Sequence, residues 1–113
     1  MIKLTTTPNF QVKYKELVKR FPALQRQLLM LTEVLTKNPF YGTPLGGNLF
    51  KIRLPNKAKV KGKRSGFRVV TYFLHENQSG VQELFLITIY DKSDTENVSK
   101  KTLLALLKRI FSQ

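Results

Sequence analysis

Two nearly continuous apolar runs, FRVVTYFL (Phe67–Leu74) and QELFLITIY (residues 82–90), flank the polar stretch ENQSG (residues 76–80). Runs of eight or nine residues rich in Val, Ile, Phe and Tyr, separated by a Gly-containing turn, read as two central strands. Such strands need neighbours at their edges and a layer to cover them, which the remaining chain must supply. Arg68 is the one charge in the first run, and a charge inside a central strand is costly unless it is paired or functional.

The neighbouring elements are legible by period. Leu49, Lys51 and Arg53 alternate with Phe50, Ile52 and Leu54, a strand pattern that Pro55 ends. Parity points Phe50, Ile52 and Leu54 toward a helical layer, and Lys51 and Arg53 away from it. Ile2, Leu4 and Thr6 alternate with Lys3 and Thr5, giving a short first strand. Thr7 then precedes Pro8, an N-cap followed by a residue suited to the first helical position. Phe10, Tyr14, Leu17, Val18 and Phe21 follow at helical spacing and predict a helix over Pro8–Arg20. Pro22 restarts the pattern, and Leu24, Leu28, Leu31 and Leu35 lie on one face of a second helix that Pro39 stops by Asn38. Residues 40–48, rich in Pro and Gly (YGTPLGGN), read as a loop. Ser99 caps a last helix carrying Leu103, Leu104, Leu106, Leu107, Ile110 and Phe111. The expectation is one α+β domain over residues 1–113, in the order β-α-α-β-β-β-α. It has a small antiparallel sheet, an α-hairpin on one face and a C-terminal helix.

Composition narrows the chemistry. The chain has 113 residues, no Cys and one His, so a disulfide framework, a thiolate zinc site and a His-cluster metal site are excluded. No apolar leader and no membrane-length run occur, so a cytoplasmic protein is expected. The formal net charge of +13 predicts attraction to polyanions: nucleic acid or an acidic protein. An anionic membrane fits less well, because the central basic run lacks an apolar helical stripe.

That run, KIRLPNKAKVKGKRSGFR at residues 51–68, has eight Lys or Arg in eighteen positions and no acid. By strict alternation Arg68 shares a face with Val70 and Tyr72, and Tyr90 shares one with Leu86 and Thr88, with Lys92 two residues on. If these faces coincide, Lys51, Arg53, Arg68, Tyr90 and Lys92 line a cationic groove on the sheet face away from the helices. Such a set suits phosphodiester chemistry. Arg offers bidentate hydrogen bonds to phosphate and Lys a compact charge. A crowded Lys or a tyrosine can accept a proton. Placed donors stabilise charge building at phosphorus, and RNA brings its own nucleophile, the 2′-hydroxyl. A plain binding surface accounts for the same residues. Lys57, Lys59, Lys61, Lys63 and Arg64, in the intervening loop, read as a solvated patch for phosphates. Gly62-Lys63-Arg64-Ser65 lacks the first glycine of a phosphate-binding loop. Asp91, Asp94 and Glu96 lack the calcium-loop pattern and read as local charge balance.

With these residues set out, the chain resembles toxins of the RelE/ParE superfamily of bacterial type II toxin–antitoxin systems, on the RelE/HigB-like branch. The resemblance covers nearly the whole chain and rests on GGNLFKIRL, GKRSGFRVVTYF and LITIYDKSDTENVS ahead of a closing helix. It implies a RelE-like fold and a ribosome-dependent endoribonuclease that cuts messenger RNA, without metal or cofactor, and is held by a cognate antitoxin. By matching position it implies catalytic roles for Lys51 and Arg53 on one strand, Arg68 at the scissile phosphate, Tyr90 orienting or stacking on substrate, and Lys92 in I-Y-x-K. Two departures stand out: Tyr90-Asp91-Lys92 occupies the place where some HigB-like members carry His, and Lys100-Lys101-Thr102 replaces an acidic first turn in the last helix. ParE-like members share the fold, act on DNA gyrase and lack the RNase residues. A gyrase inhibitor and a non-catalytic nucleic-acid-binding module are therefore the alternatives.

Overall fold

Thr7 joins three elements at once. In the computed structural model, which describes residues 2–56, 66–94 and 98–112, the N-terminal alternation forms β1 (Ile2–Thr6) and Pro8 opens α1 (Pro8–Arg20). The Thr7 hydroxyl accepts the Phe10 N–H at 3.2 Å, closing the first turn of α1. Pro22 separates α1 from α2 (Leu24–Lys37), which ends one residue before Asn38. Then come β2 (Thr43–Gly46), β3 (Leu49–Leu54), β4 (Phe67–Leu74), β5 (Gln82–Asp91) and α3 (Lys100–Phe111). Ser99 caps α3 through its hydroxyl, which accepts the Thr102 N–H at 3.1 Å.

Among the described residues the fold is α+β with three helices and a five-stranded sheet, in the order β1-β5-β4-β3-β2. Two features correct the sequence expectation. First, the stretch expected to be a loop contains β2, an edge strand antiparallel to β3. Gly46, Gly47 and Asn48, all at positive φ, turn the chain between them. Second, the sheet is mixed rather than antiparallel, because β1 runs parallel to β5. The α1–α2 hairpin carries the chain across the sheet between β1 and the antiparallel run, which leaves β1 free to pair with the last strand in this sense.

Each face of the sheet has its own core. On one, Phe10, Leu17, Leu24, Leu31 and Leu35 of the helical hairpin pack against Ile52, Val69, Phe73, Leu84, Leu86 and Ile89. On the other, Leu103 and Leu107 of α3 pack against Leu49, Val70, Phe85, Ile87 and Tyr90. The sheet face expected to lie open is therefore partly roofed by α3. The reason lies in the two apolar runs: side chains on both faces of β4 and β5 are apolar, so both faces need cover.

No described helix is long and apolar enough to cross a membrane.

Candidate nucleic-acid interface

β5 does not keep strict alternation. Val70 pairs with Thr88 but Thr71 pairs with Leu86, so Ile87 is an extra residue, a β-bulge. Upstream of it Leu84 and Leu86 face the helical hairpin. Downstream it is Ile89 that faces the hairpin, and Tyr90 that faces α3. Tyr90 and Leu86 thus lie on opposite faces, contrary to the sequence expectation. The bulge is what puts Tyr90 beside Arg68. It is held from outside the sheet: the Ile87 carbonyl accepts the Thr7 hydroxyl at 2.9 Å and the Asn9 side-chain amide at 3.2 Å. The Thr7 backbone N–H donates to the Leu86 carbonyl at 3.1 Å.

With that register, Arg53 of β3, Arg68 of β4 and Tyr90 of β5 form one row across three adjacent strands. Lys51 stands one step along on the same face, opposite Val70. The four differ in access. Arg53 is exposed and Lys51 half-buried. Tyr90 is 8% exposed and Arg68 only 2%, the bulkiest of the fully buried side chains. Lys92 lies just past β5 in a turn, half-buried, and its backbone N–H donates to the Gly66 carbonyl at 2.9 Å, beside the start of β4. Gly66 has φ +115° and a Cβ there would stand 2.6 Å from the Leu54 carbonyl, so the bases of β3 and β4 close together only with glycine.

Arg68 is costly where it is. Burial lowers its guanidinium below the ordinary value, and Arg53 directly opposite lowers it further. Tyr90 and Asp91 act the other way. Arg68 still carries its charge at neutral pH. One of its hydrogen bonds is known, from Nη1 to the Phe67 carbonyl at 3.2 Å. Asp91, 1% exposed, accepts the Asn56 amide at 3.3 Å and the Ser93 N–H at 2.9 Å. A buried cation with a buried carboxylate nearby and a second cation across the strand is an arrangement that apolar packing alone would not select.

The arrangement offers an incoming phosphate one exposed guanidinium, a flanking ammonium, and a buried positive charge behind them. Lys57, Lys59, Lys61, Lys63 and Arg64 lie outside the described residues. Asp94 pairs with Arg20 at 3.0 Å, in line with local charge balance. Among the described residues no group of three or more His, Asp or Glu side chains stands ready to hold a metal ion. Sequence reasoning missed Asn56, whose burial against Asp91 has no period or motif to announce it. No protein-family model matches the chain.

Proposed function

We propose that this protein is a RelE/HigB-like toxin, a metal-independent endoribonuclease that cleaves messenger RNA on the ribosome and so stops translation. The observation that carries the reading is the row Arg53–Arg68–Tyr90, with Lys51 beside it, in a chain of net charge +13. The order of elements, β-α-α then three antiparallel strands and a closing helix, supports it once β2 is set aside.

In this reading the RNA 2′-oxygen attacks the adjacent phosphorus and the bond to the 5′-oxygen breaks. The products are a 2′,3′-cyclic phosphate and a 5′-hydroxyl. Arg53 holds the phosphate, Arg68 adds positive potential from behind, and Tyr90 orients the substrate. Lys51 and Lys92 flank the site, one of them taking the 2′-proton and the other giving a proton to the departing 5′-oxygen. The basic loop grips the RNA backbone or the ribosome. The partner that restrains the toxin is an acidic antitoxin, encoded next to it, and both work in the bacterial cytoplasm.

The burial of Arg68 and Tyr90 favours one second reading. With both side chains covered, Arg53 is the one member of the row that an RNA meets directly, which suits a non-catalytic binder, whether a nucleic-acid module or a gyrase inhibitor. Induced expression separates these. The toxin reading predicts growth arrest with new messenger RNA ends, relieved by Arg53→Ala and by Tyr90→Phe. The Phe variant removes only a hydroxyl and avoids the cavity that alanine would leave. Salt-sensitive RNA binding without new ends, or a DNA-damage response, would support the second reading instead.

A further inference from the structure

The outer side of α2 is partly apolar. Leu29 is 62% exposed and Met30 58%, and Val34 on their flank is exposed as well. Leu24, Leu31 and Leu35 already fill the inner side of the helix, so these three take no part in the core. Where α2 meets α1, beside Leu29, lies an open groove of about 720 Å³ bordered by Tyr14, Pro22 and Leu28. A single exposed leucine needs no explanation, but adjacent exposed Leu and Met along a groove mark a contact surface.

The charges on this face are few and evenly placed. α2 carries two cations, Arg26 and Lys37, and one acid, Glu33, whereas α1 and α3 carry four cations each. Arg26 and Glu33 are both exposed and stand seven positions apart, close to two full turns, so they share one line along the helix. Leu29 and Met30 lie midway, one on either side of that line. Neither Arg26 nor Glu33 makes an ion pair with another described residue.

Such a face complements itself. A second copy laid antiparallel, with the twofold axis passing between positions 29 and 30, sets Arg26 of each chain against Glu33 of the other. The same operation brings Leu29 against Leu29 and Met30 against Met30, as a twofold contact requires. An acidic partner would leave Glu33 facing like charge, a basic partner would do the same to Arg26, and RNA makes no use of the two apolar side chains.

From this symmetry we infer that the outer face of α2 joins two copies of the chain in an antiparallel pair, sealed by Leu29 and Met30 and held in register by reciprocal Arg26–Glu33 ion pairs. The net charge of +13 on each copy opposes the approach, but at about 0.15 M salt the screening length of about 8 Å confines that repulsion to nearby groups. The pairing uses none of the residues assigned to RNA and stands whether or not the chain proves to be a ribonuclease.

The test is sedimentation equilibrium of the full chain at about 0.15 M salt and up to about 0.5 mM protein. The expected result is a monomer–dimer equilibrium. Arg26→Glu and Glu33→Arg should each weaken it at least tenfold, because each sets like charges against one another twice. The double variant Arg26→Glu/Glu33→Arg restores opposite charges across the axis and should recover the parent affinity to within about threefold. An equal mixture of the two single variants should associate where neither does alone, since every cross-pair is then opposite in sign. Leu29→Ser should also weaken the dimer at least tenfold, and its thermal midpoint checks that it remains folded. The inference is overturned if the single variants dimerise like the parent, if neither the double variant nor the mixture recovers association, or if Leu29→Ser leaves the dimer unchanged. A chain that stays monomeric at the highest concentration would also overturn it, because the face would then belong to a different protein.

Discussion

Thr7→Val tests the device that places Tyr90. Valine keeps the shape of threonine and removes the hydroxyl, so no cavity complicates the result. Two interactions disappear. The hydroxyl no longer accepts the Phe10 N–H at 3.2 Å, which costs about 1 kcal/mol as a lost helix cap. It also loses its donated hydrogen bond, made to the Ile87 carbonyl at 2.9 Å and shared with the Leu86 carbonyl at 3.2 Å, a buried bond worth about 1 kcal/mol net. The Asn9 amide still reaches that carbonyl at 3.2 Å, so the carbonyl is not left bare. The expected loss is about 2 kcal/mol. Unfolding entropy scales with chain length, so for a chain of 113 residues this lowers Tm by roughly 8 °C. Differential scanning calorimetry reads it directly. Thr7→Ser keeps the hydroxyl and should recover most of the loss. Amide exchange adds a local readout, with Ile87 to Tyr90 losing protection in the Val variant before the rest of β5. A Tm within 2 °C of the parent for Thr7→Val would refute the claim that this hydroxyl holds the bulge.

Three further outcomes are expected. The Thr71 hydroxyl is buried with no hydrogen-bond partner, so Thr71→Val should raise stability by about 1 kcal/mol in urea unfolding. Arg53 stands directly opposite Arg68, so Arg53→Gln should remove a like-charge pair and raise stability by up to about 0.5 kcal/mol. The same variant should weaken RNA binding and make the salt slope shallower by about one, so stability and binding move in opposite directions. Burial raises the Tyr14 phenol above its ordinary value, which favours its neutral form in the folded chain. That contribution is fully present below the unfolded value of about 10 and is lost as pH rises through the folded value. Stability measured at pH 9 and at pH 11 should therefore fall less in Tyr14→Phe than in the parent.

The parts of the fold that follow a local period were legible in the sequence. Thr7-Pro8 and the Phe10–Leu17 spacing give α1 to the residue, and the apolar run gives β4 to the residue. β2 was not legible, because TPLG is four residues with a proline and a glycine, and its strand character comes from pairing with β3. The parallel partnership of β1 with β5 leaves no trace in either strand's own pattern. The site was half legible. Alternation placed Lys51 and Arg53 together correctly, because β3 is regular. It put Tyr90 with Leu86, because a bulge among Leu86, Ile87, a buried Thr88 and Ile89 leaves no charged or exposed residue to mark the change of face. The burial of Arg68 has no local signal, because a lone arginine in an apolar run reads the same whether its head is covered or open.

The central claim is that the Arg53–Arg68–Tyr90 row cleaves RNA through the RNA's own 2′-hydroxyl. Its most direct test uses purified chain and ribosomes programmed with a defined messenger RNA. Where the cut falls is mapped first, and a single 2′-deoxy substitution is then placed at that nucleotide. The account predicts cleavage of the unmodified message to a 2′,3′-cyclic phosphate, loss of that cut with the deoxy message, and a drop of at least a hundredfold with Arg53→Ala. Cleavage that survives the missing 2′-hydroxyl, or an unmodified message left intact by folded protein, would contradict it.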